Sequence, residues 1–225
     1  MSQSRNRLST GALVAIAIAL GAAVGAAGIY GKQSPSGNAP APESLASGGD
    51  EVACNADPET LARLKPLARG EVAAMAVREV PIILPEMSFL SAEGTEASLA
   101  DFAGQAMLVN LWATWCAPCR AEMPALSELE RELGDDGFKV LAINIDTGDV
   151  SKPQAFLDEI GVANLGLYRD ASMEVFNILK REGLAFGLPV TLMIGKDGCL
   201  LGAMNGPAEW ASDDAKALIT ALKAG

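Results

Sequence analysis

The chain has 225 residues, half of them apolar, with four cysteines, no histidine and a formal net charge of −11. That length suits one domain with appendages and a sizeable core. The acidity disfavours nucleic acid as a partner, because phosphates are repelled. Without histidine there is no Ser-His or Cys-His hydrolase and no His-ligated metal centre, so cysteine is the one nucleophile in an organised setting.

Residues 1–10 are polar and carry Arg5 and Arg7. From Leu8 to Tyr30 the chain is uncharged, apolar and small-residue, about 20 residues that suffice to cross a bilayer core as a helix. The preceding arginines predict a cytoplasmic N-terminus with the rest of the chain outside. A cleaved signal peptide is the rival reading, with Val24-Gly25-Ala26 as a weak cleavage sequence. The apolar run, however, exceeds the roughly 7–15 residues of a signal core. Residues 1–30 are therefore expected to be an uncleaved anchor. Residues 31–50, rich in Gly, Ser, Pro and Ala, read as a flexible to semi-extended linker.

Residues 51–79 read as an N-terminal helical extension. After Cys54, Asp57 can cap a helix, Pro58 fits its first position and Glu59 its first turn. Leu61, Leu64 and Leu67 form the apolar stripe, and Pro66 keeps this helix short or kinked. A second short helix is expected around Glu71–Ala76. The globular domain is expected over 80–225, opening with a hairpin of Met87–Leu90 and Thr95–Leu99 across Glu93-Gly94. A helical turn follows over Leu99–Phe102, ended by Gly104.

The apolar run Ala106–Trp112 reads as a buried strand. Five residues centre the chemistry: Trp115-Cys116-Ala117-Pro118-Cys119. Beyond them, Arg120 to Glu130 has apolar residues at helical spacing, kinked by Pro124 and closed over Gly134–Gly137. The cysteines thus sit where a strand turns into a helix, with Cys116 near the helix N-terminus. Unpaired N–H groups and the helix dipole there favour a thiolate. Thiolate is the attacking species in thiol–disulfide exchange, so Cys116 is read as the nucleophile and Cys119 as the resolving thiol. A structural zinc site would need four ligands, and there is neither a histidine nor a second CxxC. An inert buried pair would not need a strand–turn–helix setting.

Downstream, Phe138–Asp146 reads as a second buried strand, Lys152–Ile160 as a helix, Leu165–Tyr168 as a short strand and Ser172–Arg181 as a helix. Strands alternating with helices imply parallel pairing in an α/β fold. Pro189–Ile194 and Cys199–Ala203 form an antiparallel hairpin through Asp197-Gly198. Trp210–Lys223 closes the chain as a helix.

The string Asn110-Leu111-Trp112-Ala113-Thr114-Trp115-Cys116-Ala117-Pro118-Cys119-Arg120-Ala121-Glu122-Met123-Pro124 resembles the thioredoxin superfamily. Within it, the string is similar to the TlpA/ResA/CcmG-like membrane-tethered periplasmic thiol–disulfide oxidoreductases, most of all to their TlpA-like members. The resemblance covers residues 80–225. It implies a thioredoxin-like three-layer α/β/α fold with a mixed central sheet, an N-terminal extension and a βα insertion between the CxxC helix and the hairpin. It implies a cis Leu188–Pro189 bond lying against the CxxC, with the Leu188 backbone free to pair with a client's extended segment. Trp115, Ala117, Pro118 and Leu188 would then form the docking surface. Glu122, three residues after Cys119 on one helix face, would relay the proton that Cys119 loses, or else be a solvated surface charge. Cytoplasmic thioredoxins carry a buried Asp where this chain has Asn110, which cannot titrate, so a relay falls to Glu122. TlpA-like proteins carry a second, structural disulfide, here Cys54–Cys199; the alternative is two unpaired thiols.

The implied function is a dithiol reductant, facing the periplasm from the bacterial inner membrane by one membrane-spanning helix. Its clients would be proteins with cysteine pairs: a copper-delivery assembly factor, a copper-bearing oxidase subunit or apocytochrome c. With no flavin or nicotinamide motif, no cofactor is expected, and electrons would come from a membrane dithiol donor. A monomer is expected. The rivals are a dithiol oxidant of the same fold and a copper-binding assembly chaperone without redox turnover. A thiol peroxidase is weaker, since Ala113 stands where that class has Thr.

Overall fold

The computed structural model describes Cys54 and residues 57–225, and the expected anchor (1–30) and linker (31–50) lie outside the described residues. Among the described residues no helix is long and apolar enough to cross a membrane. Among the described residues eight strands form one sheet: β1 (Ala76–Ile83), β2 (Ser88–Leu90), β3 (Glu96–Ser98), β4 (Ala106–Trp112), β5 (Phe138–Asn144), β6 (Tyr168–Arg169), β7 (Val190–Ile194) and β8 (Cys199–Asn205). Their spatial order is β1-β8-β7-β4-β5-β6-β2-β3. The α-helices of the described residues are α1 (Pro58–Leu64), α2 (Ala117–Leu133), α3 (Ser151–Glu159), α4 (Glu174–Arg181) and α5 (Asp213–Lys223). This mixed sheet with its helices is a thioredoxin-like α/β fold; β5, α3, β6 and α4 lie between α2 and β7.

All seven residues of β4 are buried. The strand is flanked by β5 in parallel and β7 in antiparallel register, so its whole backbone is paired. Covered on both faces, such a strand carries a continuous apolar run in place of alternation, as Ala106–Trp112 does. Its C-terminal end carries the CxxC turn. There the Trp112 ring packs 5.7 Å from Phe156 of α3, and the Arg120 guanidinium of α2 stands 4.9 Å over the same Phe156 ring.

Four local expectations are corrected. The helix expected at Glu71–Ala76 is only a 3₁₀ turn over Gly70–Val72, and β1 begins at Ala76. Six residues cannot sustain an isolated helix, whereas β8 offers an unpaired edge that β1 takes up. β1 tolerates Pro81 because it is itself an edge strand, with its register irregular between Val77 and Ile82. The sheet therefore starts inside the stretch expected to be a helical extension. The strand expected at Leu165–Tyr168 is Tyr168–Arg169 alone, after Gly166 in the left-handed region at φ +66°. The helix expected from Ser172 starts at Glu174, where the buried Asp170 carboxylate accepts from Ser172 N and Val175 N. The helix expected from Trp210 starts at Asp213, with the Ser212 hydroxyl accepting from Ala215 N at 3.2 Å. Trp210 is instead a fully buried residue ahead of it.

The N-terminal stretch is docked on this frame. The Asp57 carboxylate caps α1 by accepting from Glu59 N at 3.0 Å. Gly70 lies at φ +54°, a backbone conformation that favours glycine, and a Cβ there would also press on the Asp214 carboxylate of α5. Cys54, half-buried, is bonded to the buried Cys199 of β8, with Cα atoms 5.6 Å apart and a separation of 145 positions in sequence. A loop of that length takes about 4–5 kcal/mol from the unfolded chain on the entropy model. The Cys54→Ser/Cys199→Ser double variant is expected to lose about 2–5 kcal/mol in urea unfolding. Coincident midpoints for the two proteins would show that the bridge contributes nothing.

Candidate active site

The turn after β4 is built by its own backbone. Cys116 N donates to Ala113 O at 3.1 Å, and Cys116 occupies the N-cap position of α2 with φ −90° and ψ 100°. Its sulfur accepts from Cys119 N at 3.3 Å. Pro118, in the first turn, has no N–H to leave unpaired. Cys116 and Cys119 are joined, with Cα atoms 5.3 Å apart. The two sulfur-bearing residues differ in access: Cys116 is 6% exposed and Cys119 is fully enclosed. An incoming sulfur can reach only the first. Trp115, Ala117 and Pro118 are all exposed around it. Pro124 lies inside α2, which runs unbroken to Leu133.

The hairpin strand β7 approaches the same turn. Val190 pairs with Leu111, so the register carries Pro189 to the level of Trp112. The Leu188–Pro189 bond is cis, Pro189 is buried and Leu188 is half-buried. Gly206 N donates to Pro189 O at 2.9 Å, which ties this loop to the end of β8.

Glu122 is not a solvated helix-face charge: it is 3% exposed. Its Oε1 accepts from Asn110 Nδ2 at 2.9 Å, and its Oε2 accepts from Ala208 N and from Trp210 Nε1, both at 3.1 Å. Burial pushes its pKa up to about 7, against the opposing pull of those three donors. Asn110 also donates to the buried Thr191 hydroxyl at 2.9 Å, so one amide joins β4, α2 and β7. Its Oδ1 is buried without a partner.

The sequence reading missed a second buried carboxylate, Asp146. It accepts from Thr114 N at 2.9 Å, Thr114 Oγ1 at 3.0 Å and Asn144 Nδ2 at 2.8 Å. Thr114 immediately precedes Trp115-Cys116, so Asp146 clamps the reactive turn to the end of β5. An acid straight after a buried strand, beside a strand that ends in the CxxC, was the available signal. Trp210 and Ala208 were also missed as Glu122 partners; nothing local in the sequence marks them.

Two outcomes follow. An acid whose pKa is raised on folding stays protonated while the unfolded chain ionises. Glu122 therefore contributes fully below its ordinary pKa of 4.5, and that contribution falls as pH rises towards about 7. The stability difference between wild type and Glu122→Gln should fall by roughly 3 kcal/mol across that window in urea titrations at a series of pH values; a flat difference would show a carboxyl that ionises normally. Asp146→Ala strands three donors and should cost about 1–3 kcal/mol and slow disulfide exchange by about tenfold or more. Asp146→Asn, which keeps an acceptor, should lose less, and an unchanged exchange rate in Asp146→Ala would show that the clamp does not position the turn.

Residues 81–219 match the Redoxin family model. Thiol:disulfide interchange protein HelX of Rhodobacter capsulatus is 35% identical over 135 residues, covering 60% of this chain and 70% of that protein. Thiol-disulfide oxidoreductase ResA of Bacillus cereus is 29% identical over 127 residues, covering 54% and 67%. Thioredoxin-like protein YneN of Bacillus subtilis is 42% identical over 76 residues, covering 33% of this chain but only 44% of that protein. In fold, the chain is similar to a thioredoxin-family thiol:disulfide interchange protein from Chlorobium tepidum, with a TM-score of 0.53 at 24% identity over 64% of this chain and 99% of the other. A strand-end CxxC with one reachable sulfur is a setting in which the thiol–disulfide exchange that those names print can run. The chain belongs to the Redoxin family, as an enzyme of the thiol–disulfide oxidoreductase class.

Proposed function

We propose that the protein is a dithiol reductant of client proteins, held on the outer face of the bacterial inner membrane by residues 1–30. The supporting observation is the pairing of a reachable Cys116 with an enclosed Cys119 that has a buried carboxyl three residues along the same helix. In the reduced enzyme the Cys116 thiolate attacks one sulfur of a client disulfide. The client's other sulfur leaves as a thiolate, and a mixed disulfide forms. Cys119 then loses its proton and attacks Cys116 Sγ. The client's first sulfur leaves, so the client has gained two electrons and two protons and the enzyme is left as the Cys116–Cys119 disulfide.

Glu122 is the base for the second step. A carboxyl with a pKa of about 7 is part-ionised at neutral pH and can both take and return a proton. The unpartnered Asn110 Oδ1 is an acceptor that the neutral acid reaches if the amide turns over. Pro189 closes the site beside the CxxC, and the exposed Trp115, Ala117 and Pro118, with the Leu188 backbone, receive the client chain. Electrons return from a membrane dithiol donor. The clients are a copper-delivery assembly factor, a copper-bearing oxidase subunit or apocytochrome c, and the protein acts as a monomer without a cofactor.

The test is the reduction potential of the Cys116–Cys119 pair, equilibrated in glutathione buffers. A value near or below about −270 mV marks a reductant, and a value near −120 mV marks an oxidant and overturns this reading. In the same preparation, the rate at which Cys119 resolves a mixed disulfide should rise with pH through about 7. Glu122→Gln should lose that rise; an unaltered profile would remove Glu122 from the proton path.

A further inference from the structure

The fold treats the two oxygens of Glu122 differently. Oε2 accepts from Ala208 N and from Trp210 Nε1, both at 3.1 Å. Oε1 accepts from one donor among the described residues, Asn110 Nδ2 at 2.9 Å. Each oxygen of a carboxylate offers two lone pairs. Two donors fill Oε2, so the lone pair left for a proton is on Oε1.

Both donors to Oε2 come from the short segment between β8 and α5, and that segment is fixed at its two ends. Gly206 N donates to Pro189 O at 2.9 Å, with Gly206 in the left-handed region at φ +98°. Ser212 N donates to Glu209 O at 3.1 Å, and the Ser212 hydroxyl caps α5. Trp210, between them, is fully buried. An apolar ring would fill its place without an N–H. Trp112, the other buried tryptophan, supplies the contrast, because its Nε1 is buried with no partner. An indole N–H aimed at a carboxyl is therefore not the automatic result of burying a tryptophan in this core.

A donor to the ionised form of an acid favours that form, and bonds to a charged acceptor are among the stronger ones. The groups that face Glu122 are Cys119, three residues before it on α2, Asn110 from β4, and Ala208 and Trp210. Glu209, between the last two, is exposed, and its carboxylate accepts from Ala211 N at 3.4 Å. The three N–H donors are what opposes the cost of burying Glu122.

We propose that Trp210 is a positioning residue for the exchange reaction: with Ala208 N, its indole N–H holds Oε2 of Glu122, leaves Oε1 to take the proton of Cys119, and sets the pH at which that happens. The proposal rests on the reading of Glu122 as the base for Cys119.

The experiment uses the full chain, reduced at Cys116 and Cys119, mixed with dithiobis(nitrobenzoate), an aromatic disulfide. Cys116 Sγ attacks it and releases one nitrothiobenzoate; Cys119 Sγ then attacks Cys116 Sγ and releases the second. The reagent gains two electrons, the two thiols lose them in forming the enzyme disulfide, and their two protons pass to solvent. Stopped-flow absorbance separates the two bursts. In wild type the second burst should quicken as pH rises through about 7. Trp210→Phe keeps an apolar ring and lacks the N–H, so the midpoint of that rise should move up by about one pH unit, slowing the second burst several-fold at neutral pH relative to the first. Glu122→Gln loses the rise, and adding Trp210→Phe to it should change the profile no further. An unshifted midpoint in Trp210→Phe, or an equal slowing of both bursts at every pH, would overturn the proposal and leave Glu122 as the base. A rise that survives Glu122→Gln would overturn the base itself and the proposal with it. The oxidised wild-type chain gives a second readout with Trp210 intact. No thiol titrates at the CxxC there, and the indole N–H proton resonance of Trp210 should shift in one step as pH passes through about 7, a step absent from Glu122→Gln. A resonance that stays fixed over that range would overturn the proposal as well.

Discussion

A carboxyl group taken out of water must be compensated, and the compensation for Glu122 organises this molecule. Alone, a buried carboxylate is too costly to keep; here three N–H donors meet it, from Asn110 on β4, from Ala208 and from the Trp210 indole. Those donors come from parts of the chain 12 to 88 residues away. The central strand, the helix that carries the cysteines and the segment before α5 therefore converge on one side chain. The compensation is incomplete, which is why burial still raises the pKa to about 7.

The reactive turn is held by a second, separate carboxylate. Asp146 fixes the turn ahead of Cys116, and Glu122 lies three residues after Cys119 on α2. The turn is thus clamped at Thr114, while the carboxyl with the raised pKa lies further along the helix that carries the cysteines. Both acids follow from one architectural fact: β4 is covered on both faces and flanked on both sides, so the polar groups it needs at its end come from neighbouring strands and helices. Asn110 is the one polar residue within β4, and its amide donates to Glu122 and Thr191. An aspartate at that position would have placed a second charge against Glu122, and asparagine avoids it.

Loops entering β7 and leaving β4 and β5 lie at the CxxC end of the sheet because of the parallel and antiparallel pairings around β4, and the same pairings bring Pro189 beside Trp112. The N-terminal stretch lies outside that logic. It is tied on by the Cys54–Cys199 bond, by β1 on the edge of β8 and by the close approach of Gly70 to α5.

Local sequence by itself determined the buried strand before the CxxC, the helix after it, the hairpin through Asp197-Gly198 and the cap at Asp57. These depend on neighbours within a few residues: continuous apolar runs, turn residues and caps. Cys116 at a helix N-terminus was legible for the same reason. Tertiary structure decided the rest. Glu122 reads equally as a surface acid or a buried one until Asn110, Ala208 and Trp210 are brought to it. Residues 71–76 read as helix until β8 offers an edge to pair with. Asp146 reads as the end of a strand until Thr114 arrives from the neighbouring loop. In each case the deciding partner lies far along the chain, and a hydrogen bond or a contact with such a partner leaves no periodicity for the sequence to display.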